Sequence, residues 1–191
     1  QIWPVNPKRP DILGAPCFKS IADLPGAPDA AFVGVNREAT IDVIAALSAM
    51  GAGGATCFAS GFAESEAEGT GGADLQARLV AAAGDMPIVG PNCYGFLNYL
   101  DTVTFWPDQH GGVPVASGVA IVGQSSNMAI NMTMQRRGLP IAYVLTAGNQ
   151  AQTSLSDLGM MALADDRVTA LGLHIEGFGD IRAFEALAAD A

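Results

Sequence analysis

Cysteine is scarce in this sequence. Its 191 residues hold three, Cys17, Cys57 and Cys93, and no two form a CxxC pair. An odd, scattered set suggests neither a disulfide framework nor a zinc knuckle. Basic residues are nearly as sparse, nine against nineteen acidic ones, for a formal charge of −10. That balance argues against nucleic acid as a partner, because such a surface needs a basic stripe. It leaves room for a small anionic ligand, since helix N-termini and a few lysines bind phosphate even in an acidic protein. No run approaches the roughly 20 apolar residues of a membrane span. The opening Gln1-Ile-Trp-Pro-Val-Asn-Pro-Lys-Arg9 lacks the apolar centre and cleavage pattern of a signal peptide. A reducing cytoplasm, with no membrane partner, is the expected setting. Neither GxGxxG nor GxxxxGK[ST] occurs, so the ordinary dinucleotide and P-loop fingerprints are absent.

What is present is apolar and regularly punctuated. Half of the residues are hydrophobic, enough for a sizeable core in one large or two small domains. Strands are expected at Ile2–Val5, Ala31–Val35, Ala55–Ala59, Pro87–Val89, Val119–Val122, Ile141–Thr146 and Ala170–Ile175. Helices are expected at Glu38–Met50, Asp74–Ala83, Asn127–Arg137, Ser154–Leu163 and Ile181–Ala189. In the first of these Ile41, Ile44, Ala45 and Leu47 make a helical stripe. Near-continuous apolar strands spaced by helices indicate an α/β fold with parallel sheets covered on both faces. Asn92 to Ser117 breaks the alternation: it is aromatic, rich in Gly and Pro near its end, and without an obvious helix. A boundary near Gly111–Ser117 is expected to divide two α/β units, 1–113 and 114–191.

In open parallel sheets, ligands bind beyond the carboxyl ends of the strands. The residues following each strand are therefore the ones to read. Asn6-Pro7-Lys8-Arg9, Asn36-Arg37, Ser60-Gly61-Phe62 and Gly90-Pro91-Asn92-Cys93 bring small residues, amides and a few cations to that edge. Such a set suits a ligand with phosphates and an amide-bearing arm, although ordinary turns use the same residues. Gly123–Asn127 is more telling. It lies between an apolar strand and a helix, where free N–H groups carry partial positive charge. Ser125 and Ser126 add hydroxyls. A plain serine N-cap accounts for one of them but not for the whole polar cluster. The turns Thr146–Thr153 and His174–Asp180 repeat the arrangement, and Glu176 stands at a strand end where a lone carboxylate wants a partner. His110 and His174 lack ligand spacing, and a lone histidine is more often structural. Cys93 has no histidine beside it in sequence, which favours a small packed residue over a nucleophile.

Taken in order, Pro4-Val-Asn-Pro-Lys8, Ala59-Ser-Gly-Phe62, Gly90-Pro-Asn-Cys-Tyr-Gly95, Val122-Gly-Gln-Ser-Ser126, Ala147-Gly-Asn149 and Ile175-Glu-Gly177 resemble the NDP-forming acyl-CoA synthetases, relatives of the succinyl-CoA synthetase α subunit. The resemblance runs over nearly the whole chain. It implies a Rossmann-like CoA-binding domain followed by a flavodoxin-like ligase domain. The implied reaction interconverts acid, CoA and nucleoside triphosphate with acyl-CoA, nucleoside diphosphate and phosphate, through an acyl phosphate and a phosphohistidine. By matching turns, Asn6, Pro7 and Lys8 would meet the CoA, with Lys8 near a phosphate. Val35, Asn36, Ser60, Gly61 and Phe62 would line its path, and Asn92 and Cys93 would approach the thiol end. Ser125, Ser126 and Asn127 would hold the phosphate, and Glu176 would hydrogen-bond the phosphohistidine. ATP or ADP with Mg would act through an ATP-grasp domain or subunit outside this chain. A small carboxylic acid is the implied co-substrate, and a homo-oligomer is expected.

The departures are equally specific. The family's first strand and glycine-rich turn would precede Ile2, and its phosphohistidine loop would follow the last residue. The sequence, which begins with Gln1 rather than methionine, is therefore expected to be a fragment that does not turn over alone. Neither His110 nor His174 matches the phosphohistidine motif. Ser126 replaces the glycine of the usual QSG turn, either tightening it or adding a donor. Two other readings stay open: a non-catalytic CoA-binding regulatory module of a protein acetyltransferase or other multidomain enzyme, and a nucleotide-dependent oxidoreductase.

Overall fold

The structure is a computed structural model that describes residues 1–69 and 71–191. A small antiparallel hairpin, β1 (Asp11–Ile12) and β2 (Ala15–Pro16), comes first. The first α/β unit is β3 (Ala31–Val33), α1 (Arg37–Met50), β4 (Ala55–Cys57), α2 (Gly72–Ala83) and β5 (Ile88–Val89), in a parallel sheet ordered β3-β4-β5. A second hairpin follows, β6 (Phe96–Asn98) and β7 (Val103–Phe105). The second unit is β8 (Gly118–Gly123), α3 (Ser126–Thr133), β9 (Ile141–Thr146), α4 (Leu155–Leu163), β10 (Val168–His174) and α5 (Ile181–Asp190). Its sheet runs β10-β8-β9-β6-β7, with β10, β8 and β9 parallel and the hairpin antiparallel along one side.

Local chemistry explains the helices. Asn36 caps α1 by accepting from Ala39 N at 3.0 Å, and Gly51 ends it in the left-handed region, φ +81°. Ile41, Ile44 and Leu47 recur three residues apart and are buried in one core with Val33, Ala55 and Cys57 of the strands and Leu75 and Leu79 of α2, and Thr40 is buried beside them on the same helix. Ile44 and Leu47 each contribute about 1.5–3 kcal/mol by that burial. Ser154 and Asp157 close a capping box at the start of α4. Along β8 the side chains alternate: Ala120 and Val122 pack with Leu155, Leu158 and Ala162 of α4, whereas Ile121 packs with Ala129 of α3. The helices after β8 and β9 thus cover opposite faces, and with β9 and β10 on either side of β8 the topological switch point lies between the carboxyl ends of β8 and β10.

One loop docks the second unit onto the first. Leaving β9, Asn149 N donates to Pro91 O at 2.9 Å and Ala151 N to Gly90 O at 3.0 Å. Gln152 Oε1 accepts from Ile88 N at 2.8 Å, and its Nε2 donates to Gly84 O at 2.9 Å. At Gly148, φ +54°, a Cβ would stand 2.2 Å from Pro91 O, so this approach admits glycine alone.

The expected alternation holds with local corrections. Ile2–Val5 is not a strand; only Val5 bridges, to Phe18, because Pro4 and Pro7 supply no N–H to a ladder. Residues 92–117 contain the β6–β7 hairpin, so the second sheet is mixed rather than wholly parallel. The hairpin precedes the expected 113/114 division yet hydrogen-bonds into the second sheet. The third helix stops at Thr133 instead of Arg137. Thr133 Oγ1 donates back to Ile130 O at 2.8 Å and accepts from Gly111 N at 3.1 Å, so the linker packs where the helix would continue.

Arg167 clamps the hairpin's turn to the start of β10. Its guanidinium forks onto Asp165 (2.8 and 2.9 Å) and onto Asp101 (2.9 and 3.0 Å). Hydrogen bonds from Arg167 hold both carboxyls below their usual range. A depressed folded pKa stabilises above the unfolded value, about 3.9, and that contribution disappears as pH falls through the folded value. Arg167→Ala is therefore expected to lower the melting temperature at pH 7. The gap from the wild type should narrow steadily in melts taken below pH 4; a gap that is constant with pH contradicts the clamp.

Candidate functional site

The carboxyl ends of both sheets open into one cavity of about 1040 Å³. From the first sheet come Val35 and Asn36 after β3, Ser60 and Gly61 after β4, and Asn92 and Cys93 after β5. From the second come Ser125, Ser126 and Asn127 after β8, and Glu176 after β10. Ten sequence-predicted residues thus meet at one place. Four do not. Asn6, Pro7 and Lys8 are not on the cavity wall; Asn6 Oδ1 is occupied by Lys8 N at 2.9 Å and Arg9 N at 3.1 Å. Phe62, expected to line the path, is 0% exposed and packs the first core, so only its main chain belongs to the loop.

The turn after β8 is held from three sides. Gln124 Oε1 accepts from the N–H groups of Glu176 and Gly177, and its Nε2 donates to Gly177 O, splinting the exits of β8 and β10 together. Ser125 Oγ caps α3 by accepting from Met128 N at 3.4 Å. Ser126 Oγ accepts from Tyr94 N at 2.9 Å, which ties the turn to the loop after β5. The serine standing in place of glycine thus bridges the two sheets. Both hydroxyls still hold a proton to donate, and the first helical turn adds main-chain N–H groups with no intrahelical acceptor. Such a turn can hold an anion without a charged side chain.

Charge in the cavity is limited. Among the described residues Arg37 is the one basic residue on the wall, and its Nη1 donates to Gly61 O at 2.8 Å. Glu64 accepts from the N–H groups of Gly61 and Phe62 and from Asn149 Nδ2, linking the two units across the floor. Glu176 Oε1 lies 4.0 Å from His174 Nδ1. His110 is remote from this wall and pairs with Tyr99 Oη at 2.9 Å. Arg37, Gln124, Asn149 and Tyr94 stand in strand-exit turns that the sequence singles out, but none was assigned an individual role; Phe58 was missed because β4 ends at Cys57, two residues before the expected limit. Glu64 carried no such signal, because its partners are scattered along the chain.

The cavity thiol is buried, Cys93 being 1% exposed. Burial pushes Cys93 up to about 12, offset only in part by hydrogen bonds from Gly95 and Thr146. Burial, with Cys93 alongside, pushes Cys57 to about 12 as well. A thiol-specific disulfide reagent at pH 8 should titrate Cys17 quickly in the native protein, and Cys57 and Cys93 only after denaturation. Fast reaction of a second thiol contradicts their inertness.

Comparisons with known proteins agree with this architecture. The family described as "CoA binding domain" matches residues 1–99, and "Succinyl-CoA ligase like flavodoxin domain" matches residues 116–191. A trans-feruloyl-CoA synthase from an unknown prokaryotic organism is 31% identical over 98% of this chain and 27% of its own length. An ADP-forming acetate–CoA ligase of Archaeoglobus fulgidus is 29% identical, again over 98% of this chain and 27% of the relative. The chain spans about a quarter of the length of these relatives. The apo structure of a dinucleotide-forming acetyl-coenzyme A synthetase from Ca. Korarchaeum cryptofilum superposes with a TM-score of 0.82 at 26% identity, covering 97% of this chain and 40% of that one. With its two matched domains in order and their strand-exit turns gathered around one cavity, the chain belongs to the NDP-forming acyl-CoA synthetase family.

Proposed function

We propose that this chain forms the CoA-binding and phosphate-binding part of an acid–CoA ligase that interconverts acid, CoA and nucleoside triphosphate with acyl-CoA, nucleoside diphosphate and phosphate. The observation that carries the reading is the convergence of strand-exit turns from two sheets on one cavity. The cavity suits CoA in size, since ligand pockets run to about 300–1,000 Å³. Its donor set suits CoA as well: amides and hydroxyls for the pantetheine arm, one guanidinium for phosphate.

In this reading Val35, Asn36, Ser60 and Gly61 line the CoA, with the main chain of Phe62 behind them. Asn92 and the backbone of Cys93 border the thiol end. Asn6, Pro7 and Lys8 are proposed as CoA contacts on the family resemblance alone. Ser125, Ser126 and Asn127 hold the phosphoryl group by donation from hydroxyl and main chain, which is most of what phosphoryl transfer requires of a protein. Glu176 accepts from the far nitrogen of the phosphorylated histidine, fixing its tautomer. Neither His110 nor His174 is proposed as that histidine. Nucleotide with Mg, an ATP-grasp domain or subunit, and a homo-oligomer complete the proposed enzyme, in a cytoplasmic setting. No helix among the described residues is long and apolar enough to cross a membrane. The division into 1–113 and 114–191 belongs to the same proposal, with β6–β7 an arm of the first domain laid along the second sheet.

The names of the relatives differ in their acid: trans-feruloyl, acetate and 4-hydroxybutyrate. The acid thus varies among these relatives, and we take the walls of this chain's cavity to contribute to its choice. The test uses the whole protein that carries this chain. Calorimetry should detect CoA binding. Ser125→Ala should lower phosphoryl transfer tenfold or more while CoA affinity changes much less; equal losses in both contradict the assignment.

A further inference from the structure

One side of the cavity is aromatic. Phe58, which follows β4, and Tyr94, which follows Cys93, line it with ring centroids 5.5 Å apart. Phe32 extends the row at 6.0 Å from Phe58, and Trp106 extends it at 5.4 Å from Tyr94 in edge-on contact. The row draws on four separate segments: β3, the exit of β4, the loop after β5 and the end of β7. Two of its rings stay open, Phe32 at 37% and Phe58 at 39% exposure, whereas Phe62 a few residues away is fully buried. Of the four rings, Phe58 and Tyr94 are on the cavity wall, while Phe32, beside the wall residue Gly34, and Trp106 back them from either end. Apolar surface held open inside a ligand cleft is surface for a ligand to cover.

The polar turn that would hold the phosphoryl group of an acyl phosphate is bonded to the loop bearing Tyr94, because Tyr94 N donates to Ser126 Oγ at 2.9 Å. An acid held at that turn has its substituent beside the loop bearing Tyr94, with Phe58 next to it. A methyl group would leave these rings wet. A flat aromatic substituent would cover them in offset or edge-to-face contact, the geometries aromatic rings prefer. We propose that the acid activated here is an aromatic carboxylic acid whose ring packs on Phe58 and Tyr94, making these two residues specificity-determining. This rests on the ligase reading. CoA brings a second flat ring, its adenine, but Tyr94 is tied to the reacting end of the cavity, which assigns the Phe58–Tyr94 pair to the acid.

The test again uses the whole protein, with CoA and nucleoside triphosphate. Benzoate and 4-hydroxycinnamate are compared with acetate as substrates. The wild type should prefer an aryl acid by at least tenfold in kcat/KM, an arm that requires no variant to fold. Tyr94→Leu and Phe58→Leu should each cut the aryl-to-acetate ratio about tenfold, equivalent to about 1.4 kcal/mol, with a smaller effect on CoA affinity. Acetate used as well as either aryl acid overturns the inference while leaving the ligase reading intact. So does a variant that loses CoA affinity and keeps its aryl preference, because the rings then serve adenine. Absence of CoA binding by the wild type overturns the ligase reading and this inference with it.

Discussion

The cavity depends on the hydrogen bonds that pin loop 147–152 to the edge of the first sheet. A parallel sheet offers its carboxyl edge to ligands whether or not a second sheet is near. Here the loop leaving β9 takes up Pro91 O, Gly90 O and Ile88 N, so the edges of two sheets face a shared space. Thr146 strengthens the joint: its Oγ1 accepts from Gly95 N at 3.0 Å and donates to Gly95 O at 2.8 Å. These groups are buried, where an unpaired donor or acceptor would cost about 1–3 kcal/mol. The docking is accordingly specific in register, and Gly148 sets how close it can be.

Within that frame, polar residues in the turn after β8 have separate tasks. Gln124 spends its amide on the exit of β10 and so positions Glu176. Ser126 accepts from Tyr94 N and joins the anion-binding turn to the aromatic wall. Ser125 caps its own helix. The turn between strand and helix is thus a junction: two of its side chains hold neighbouring loops, and its amides and hydroxyl protons remain for a ligand. The family's glycine at residue 126 could not make the bond to Tyr94, so the serine adds a connection between the two sheets.

Much of this was legible in the sequence. Long apolar runs such as Ile141–Thr146 occur as strands with the expected limits, because burial on both faces leaves little ambiguity. Strand-exit turns were legible for the same reason, and ten of the residues chosen from them share the cavity. Short elements were less so. β6 and β7 have three residues each, and β6 finds its second partner in β9, far along the chain. Phe62 illustrates another limit: an apolar residue in a binding motif packs inward or outward according to neighbours that periodicity does not reveal. Glu64 and Asn149 are 85 residues apart, and only the docked loop brings them together. The aromatic row is of the same kind, four rings from four segments whose adjacency no local pattern announces.

The central claim is that turns from both sheets share one cavity, with CoA along the first sheet's turns and the phosphoryl group at the turn after β8. Amide hydrogen exchange of the whole protein, free, with CoA, and with CoA plus inorganic phosphate, measures this directly. The account predicts that CoA slows exchange together at Asn36–Arg37, Ser60–Gly61 and Asn92–Tyr94, and that phosphate adds protection at Ser126–Asn127. No protection by CoA at the first three, or none added by phosphate at Ser126–Asn127, would contradict a shared site.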